Sequence, residues 1–248
     1  MTPRFKTEGS ALSDQKIIVI GGSSGIGLAT AKQFAAQGAH VVIASRSANK
    51  LKIALAEIRG KAEARPLDFT DEAGVRAFFE AGGSFDHLVL MGAGLPAWGK
   101  FEEIQTTALE QAFRTKFWGY FYCAKYGVPR LRPRGSILFT IGGAARTAIP
   151  GTSGVAAVNG AILSMATTLA RELAPIRVNI LSPGLVDTPA YNWMTPEQKA
   201  VFFKQTGNSL PVGRIGTAEE IAQAAYFLVT NGYTTGAVLD VDGGGCLS

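Results

Sequence analysis

Short unbroken apolar runs alternate along the chain with longer stretches whose apolar residues recur at helical spacing. Ile17, Ile18, Val19 and Ile20 form one such run, and Val41 to Ala44 another. Runs this short, β-branched and without polar alternation are the pattern of strands buried on both faces. Leu51, Leu55 and Ile58 are spaced as one face of a helix. The pattern predicts strands over 17–20, 40–44, 64–67, 85–90, 136–141, 177–181 and 237–241. It predicts helices over 29–37, 48–58, 71–80, 106–126, 152–173 and 219–229, with Gly38 stopping the first. Strands separated by helices pair in parallel through crossovers, so the expected fold is α/β, a single doubly wound parallel sheet with helices on both faces, Rossmann-like. The 248 residues suffice for one such domain, placed at 15–248 behind a loosely held leader at 1–14.

Composition changes this picture little. The net charge is +5, from 24 Lys and Arg against 19 Asp and Glu, and the basic residues are scattered rather than gathered into a stripe. Nucleic acid is therefore not an expected partner. Cys123 and Cys246 lie far apart without metal-ligand spacing, which points to no metal and a reducing, cytoplasmic setting. No segment reads as a membrane span.

The chemistry begins directly after the first strand. Gly21, Gly22, Ser23, Ser24, Gly25, Ile26 and Gly27 join that strand to a helix. Glycines there allow a sharp turn and let a phosphate reach bare N–H groups at the positive end of the helix dipole. This is the pattern of a dinucleotide-binding turn. An acidic residue about twenty positions on would hold the ribose hydroxyls of NAD. Ser45, Arg46 and Ser47 stand there instead. A guanidinium beside two hydroxyls suits a 2′-phosphate, so the cofactor expected is NADP(H); the plainer alternative is that Arg46 is a solvated loop charge.

Further motifs resemble the short-chain dehydrogenase/reductase family. They are the turn at Gly21 to Gly27, Asp68 after the third strand, Ala93-Gly94 after the fourth, Arg177-Val178-Asn179, and Ser182-Pro183-Gly184-Leu185-Val186-Asp187-Thr188-Pro189. Gly213-Arg214-Ile215-Gly216 and Val241-Asp242-Gly243-Gly244 follow in family order. The resemblance implies that Asp68 and the Phe69 backbone meet the adenine, although Asp68 also reads as a turn or cap residue. It implies that Ala93 and Gly94 let the adenosine ribose pass. It assigns Pro183, Gly184, Val186 and Thr188 to the nicotinamide carboxamide. Residues 190–210 correspond to a substrate lid, with Tyr191, Trp193, Met194, Phe202 and Phe203 as its apolar area. The helices over 106–126 and 152–173 correspond to those that pair between subunits, implying a homodimer or homotetramer.

The family's catalytic positions have all changed. Its Tyr and Lys, one helical turn apart, correspond to Val155 and Asn159; its Ser falls on Gly142 or Gly143, and its Asn on Lys116. No Tyr lies between Tyr126 and Tyr191 and no Lys between Lys125 and Lys199, so no register shift restores the pair. Lys116, with a buried stem, could serve as acid or electrostatic stabiliser. Asn159 could still bond the ribose. Arg146, Ser153 and Tyr191 border the expected substrate pocket, whereas His40 and His87 read as structural. The reading that follows is a divergent NADPH-dependent oxidoreductase acting on a small carbonyl or alcohol through a non-standard proton donor. The alternatives are a catalytically silent NADP(H)-binding sensor or partner, and a non-redox isomerase or lyase in the same cleft.

Overall fold

The computed structural model describes residues 11–94 and 97–247; residues 1–10 of the expected leader lie outside this range. Seven strands form one sheet: β1 (Lys16–Ile20), β2 (His40–Ser45), β3 (Ala62–Pro66), β4 (Phe85–Leu90), β5 (Leu131–Thr140), β6 (Arg177–Pro183) and β7 (Val238–Val241). Their order is β3-β2-β1-β4-β5-β6-β7, and every pairing is parallel. The unbroken apolar run of β1 has its explanation in this arrangement. Ile18 and Ile20 enter one apolar cluster with Phe79 and Phe85, while Ile17 and Val19 enter another with Phe34 and Leu51. Alternate side chains thus serve opposite faces of the sheet, each burial contributing about 1.5–3 kcal/mol.

The helices are α1 (Gly25–Ala36), α2 (Ala48–Glu57), α3 (Glu72–Gly82), α4 (Thr106–Ala112), α5 (Gly119–Gly127), α6 (Ser153–Glu172), α7 (Pro196–Ser209) and α8 (Ala218–Thr230). Two departures from the expected elements have physical causes. The single helix expected over 106–126 is divided by a π-helical segment, Phe113–Trp118. There Thr115 Oγ1 donates to the Gln111 carbonyl at 2.7 Å, competing with the backbone donor that an α-helix would place on it. Strand β5 starts at Leu131 rather than 136, because a register shift opposite Phe85 and His87 loops out the residues between Leu131 and Ser136. Also against expectation, α6 has the length and apolarity of a membrane span, with a mean hydropathy of 1.3. Its buried stripe of Gly154, Val158, Ile162 and Ala166 packs within the core, which accounts for part of that apolarity.

Several family motifs turn out to be fastenings. Arg177 donates to the carbonyls of Leu228 and Val229 at the end of α8, and Asn179 bridges Thr234 and Ala237. Arg214 holds Glu220 through two hydrogen bonds, and Glu220 completes a capping box with Thr217.

His87 on β4 is 5% exposed and bonded on both ring nitrogens, to Ser136 Oγ and Gln15 Oε1, each at 2.7 Å. Gln15 Oε1 only accepts, so Nε2 carries a proton toward it, while Nδ1 meets the Ser136 hydroxyl. Burial pushes its pKa from 6.5 down to about 4. Above pH 6.5 neither folded nor unfolded chain is charged there; between 6.5 and 4 the unfolded chain alone takes up the proton, so stability falls. Urea denaturation at pH 7 and pH 4.5 is expected to show the wild type losing about 2–3 kcal/mol more than His87→Gln over that range. Equal losses would show that His87 is not the group titrating.

Candidate active site

The strand order reverses between β1 and β4, and at their carboxyl ends a cleft of about 640 Å³ opens. Such switch points are where open parallel sheets take ligands. One wall is the turn after β1. Gly21 sits at φ +84°, and a Cβ on it would lie 2.7 Å from the Gly92 nitrogen after β4. A Cβ on Gly27 would lie 2.1 Å from the Gly21 carbonyl oxygen, so only glycine lets α1 start against its own turn. Ser24, the N-cap of α1, makes no side-chain cap bond. The first N–H groups of α1 therefore face the cleft without a side-chain acceptor, beside Ser23, Gly25 and Ile26.

At the outer end stand Ser45, Arg46, Ser47 and Lys50. Ser47 caps α2, its Oγ accepting from Lys50 N at 3.2 Å. Arg46 is exposed and forms no ion pair among the described residues. Phe69 packs closely against Gly92 and Gly119, where added Cβ atoms would strike its ring at 2.7 and 2.1 Å. Pro183, Gly184, Val186 and Thr188 form the opposite wall; a Cβ on Gly25 would meet the Thr188 side chain at 3.2 Å, so the two walls touch.

The inner end holds the feature that matters most for chemistry. Lys116, on the π-helical segment, donates from Nζ to Asn159 Oδ1 on α6 at 2.8 Å, and its ammonium lies 5.9 Å from the Tyr120 ring centre. Gly94 makes room for it: a Cβ there would be 2.7 Å from Lys116 Cβ. Val155 lines the cleft one turn before Asn159, and Gly142 lies beside them, with Gly143 opening the short 3₁₀ turn that follows. Burial holds the Lys116 ammonium below the usual lysine range, at about 8. Two tyrosines share this region. Tyr120 gives its hydroxyl proton to the Gly92 carbonyl at 3.0 Å, and burial raises its phenol far above the ordinary value. Tyr191 also has its phenol raised by burial, and packs on Phe202 and Phe203.

The structure places four expected contributors elsewhere. The Asp68 carboxylate turns back to accept from Thr70 N and Oγ1, the work of a turn residue, and does not line the cleft. Arg146 is tied to Asp240 of β7, Nε to Oδ2 at 2.9 Å, instead of facing a substrate. Ser153 is exposed at the start of α6 and Trp193 is 69% exposed, so neither closes the cleft. Sequence reading missed Lys50, Trp98, Thr140 and Tyr120 in the lining. A lysine in the first turn of α2 opposes that helix's dipole, and this was a legible signal; Trp98, Thr140 and Tyr120 had none beyond proximity to a motif.

The donor set suits a nicotinamide dinucleotide. The lining contains Arg46, Lys50 and Lys116 and no Asp or Glu. Ser45 Oγ and Thr140 Oγ1 are buried along it without a hydrogen-bond partner. A parallel sheet with a glycine turn at its switch point defines the class as a dinucleotide-binding α/β protein. The family profile described as "Enoyl-(Acyl carrier protein) reductase" matches residues 20–245. The chain is 33% identical over 250 residues to the "Uncharacterized oxidoreductase YxbG" of Bacillus subtilis (strain 168), covering 94% of this chain and 91% of the relative. Among solved structures, a small-chain dehydrogenase in complex with NADPH is 38% identical, with a TM-score of 0.82 and coverage of 94% of this chain and 99% of the other. The NADPH-bound short chain oxidoreductase of Pseudomonas aeruginosa PAO1, described as containing an atypical catalytic center, is 30% identical, with a TM-score of 0.87 and coverage of 94% and 97%. The chain belongs to the short-chain dehydrogenase/reductase family, and its relatives are oxidoreductases.

Thr140 offers a check on the cleft in the ligand-free protein. Replacing a buried, unpartnered hydroxyl by a methyl of the same shape removes a desolvation cost. Thr140→Val is expected to stabilise the ligand-free protein by about 1 kcal/mol in urea denaturation. A loss of stability would mean that the hydroxyl is satisfied in solution.

Proposed function

We propose that this protein is an NADPH-dependent reductase of small carbonyl compounds in which Lys116 supplies the proton. The observation that carries the reading is the Lys116–Asn159 hydrogen bond, at 2.8 Å, in the inner wall of the cleft. It sets an ammonium where the family's tyrosine and lysine correspond here to Val155 and Asn159. When bound, NADPH supplies a hydride to the carbonyl carbon. Lys116 donates a hydrogen bond to the carbonyl oxygen, stabilises the charge that grows there, and passes it the proton. The neutral amine then regains a proton from water. Asn159 fixes the ammonium's direction, and Val155 contributes only apolar surface. Neither cleft tyrosine competes: Tyr120 is committed to Gly92, and the raised phenol of Tyr191 makes it the poorer acid.

The choice of NADPH rests on Arg46 and Lys50, with Ser45 and Ser47 beside them, as the natural partners of a 2′-phosphate. Support also comes from the two similar structures that hold NADPH.

Two experiments test this function. Arg46→Ala should weaken NADPH binding about tenfold or more, measured by fluorescence titration, and leave NADH within about threefold. Equal losses for both cofactors would remove the 2′-phosphate assignment. Lys116→Met should lower kcat about 100-fold or more on any carbonyl that the wild type reduces, with NADPH affinity kept. Unchanged turnover would remove Lys116 from the chemistry, and tight NADPH binding without consumption across ketones, aldehydes and activated alkenes would identify a silent binding protein instead.

A further inference from the structure

We infer that the substrate of this cleft carries a carboxylate next to its reacting carbonyl, both held by the Lys116 ammonium. The inference rests on the reductase reading of the cleft and adds a substrate class to it.

The argument starts from a charge imbalance. Among the residues lining the cleft there are three cations and no carboxylate. Arg46 and Lys50 stand at the outer end, where the cofactor's phosphates would answer them. Lys116 stands at the inner end, and no acidic group among the described residues pairs with it. Its partners are the Asn159 amide oxygen and the face of Tyr120, both neutral. A half-buried ammonium with only neutral partners is a costly arrangement unless an anion arrives with the ligand. Arg146, a few residues beyond Gly142 in sequence, does not line the cleft and is paired with Asp240. Lys116 is thus the group left for a substrate anion.

Valence gives the geometry. An ammonium has three N–H donors, and Asn159 takes one. Two remain for oxygen acceptors in the cleft. In a 2-oxo acid the keto oxygen and one carboxylate oxygen lie on adjacent carbons and can point to the same side, so one ammonium can serve both. Around it, Trp98, Val155 and Tyr191 offer apolar and aromatic wall, which suits an aryl or branched side chain on the far carbon. In the reaction the hydride adds to the keto carbon, the carbonyl π pair moves to oxygen, and Lys116 gives that oxygen its proton. The carboxylate is unchanged, and the product is a 2-hydroxy acid.

The test is a binding measurement that needs no turnover. N-phenyloxamate presents a carbonyl beside a carboxylate but resists reduction, and N-phenyloxamide is its neutral counterpart. Titrated by calorimetry into the protein saturated with NADPH, the oxamate is expected to bind about tenfold or more tightly than the oxamide. Lys116→Met should reduce it to the oxamide's affinity, whereas Arg146→Ala should leave it unchanged. Equal binding of the two probes by the wild type, undiminished oxamate binding by Lys116→Met, or its loss in Arg146→Ala would each overturn the inference. Preferential oxamate binding with no NADPH consumption by phenylpyruvate would uphold the anion site and overturn the reductase reading. Reduction of neutral ketones with no preference between the probes would do the reverse.

Discussion

At the switch point between β1 and β4, two backbones approach more closely than any side chain allows. Gly21 lies against Gly92, and Gly27 lies against Gly21. This contact starts α1 directly over the sheet, aims its first N–H groups along the cleft, and brings the loop after β4 within reach of the π-helical segment. The position of Lys116 depends on it in turn, because Gly94 in that loop lies against the lysine stem. A bulky residue at any of these glycines would separate the phosphate-facing end of the cleft from its inner end.

Given that frame, electrostatics organises the rest. The lining pairs cationic groups with bare N–H donors and hydroxyls and places no carboxylate among them. Such a surface favours anions along its whole length, which suits a dinucleotide and, beyond it, an acidic substrate. The Lys116–Asn159 bond puts the charged group on the helix that follows β4 and the amide on α6. An ammonium at this place can both hold charge and release a proton, the two properties that the proposed reductase chemistry asks of it.

Much of this was legible in the sequence. Buried parallel strands announce themselves as apolar runs, and the glycine turn and Arg46 lie at fixed distances from the strand ends they follow. The residues that were misplaced are those whose neighbours come from distant segments. Asp68 turns to Thr70 and Arg146 to Asp240, and neither choice is visible along the chain. The Lys116–Asn159 contact spans 43 positions and depends on a π-helical segment that apolar spacing cannot distinguish from an α-helix. Lys50 did carry a signal, a cation in the first turn of α2 against the helix dipole, but only the fold shows that this turn borders the cleft.

The central claim is that the Lys116 ammonium is the acid of the reaction. Its most direct test is to follow the Lys116 side-chain resonance by NMR and the pH dependence of kcat/KM for carbonyl reduction on the same protein. Tyr120 and Tyr191 face the same space with phenols raised by burial, so neither titrates lower than Lys116. The amine is expected to titrate near pH 8, below the ordinary lysine range because it is buried. Reduction should hold steady below that midpoint and fall about tenfold per unit above it, as the acid form is lost. A rate profile without a break at the Lys116 midpoint would contradict the account.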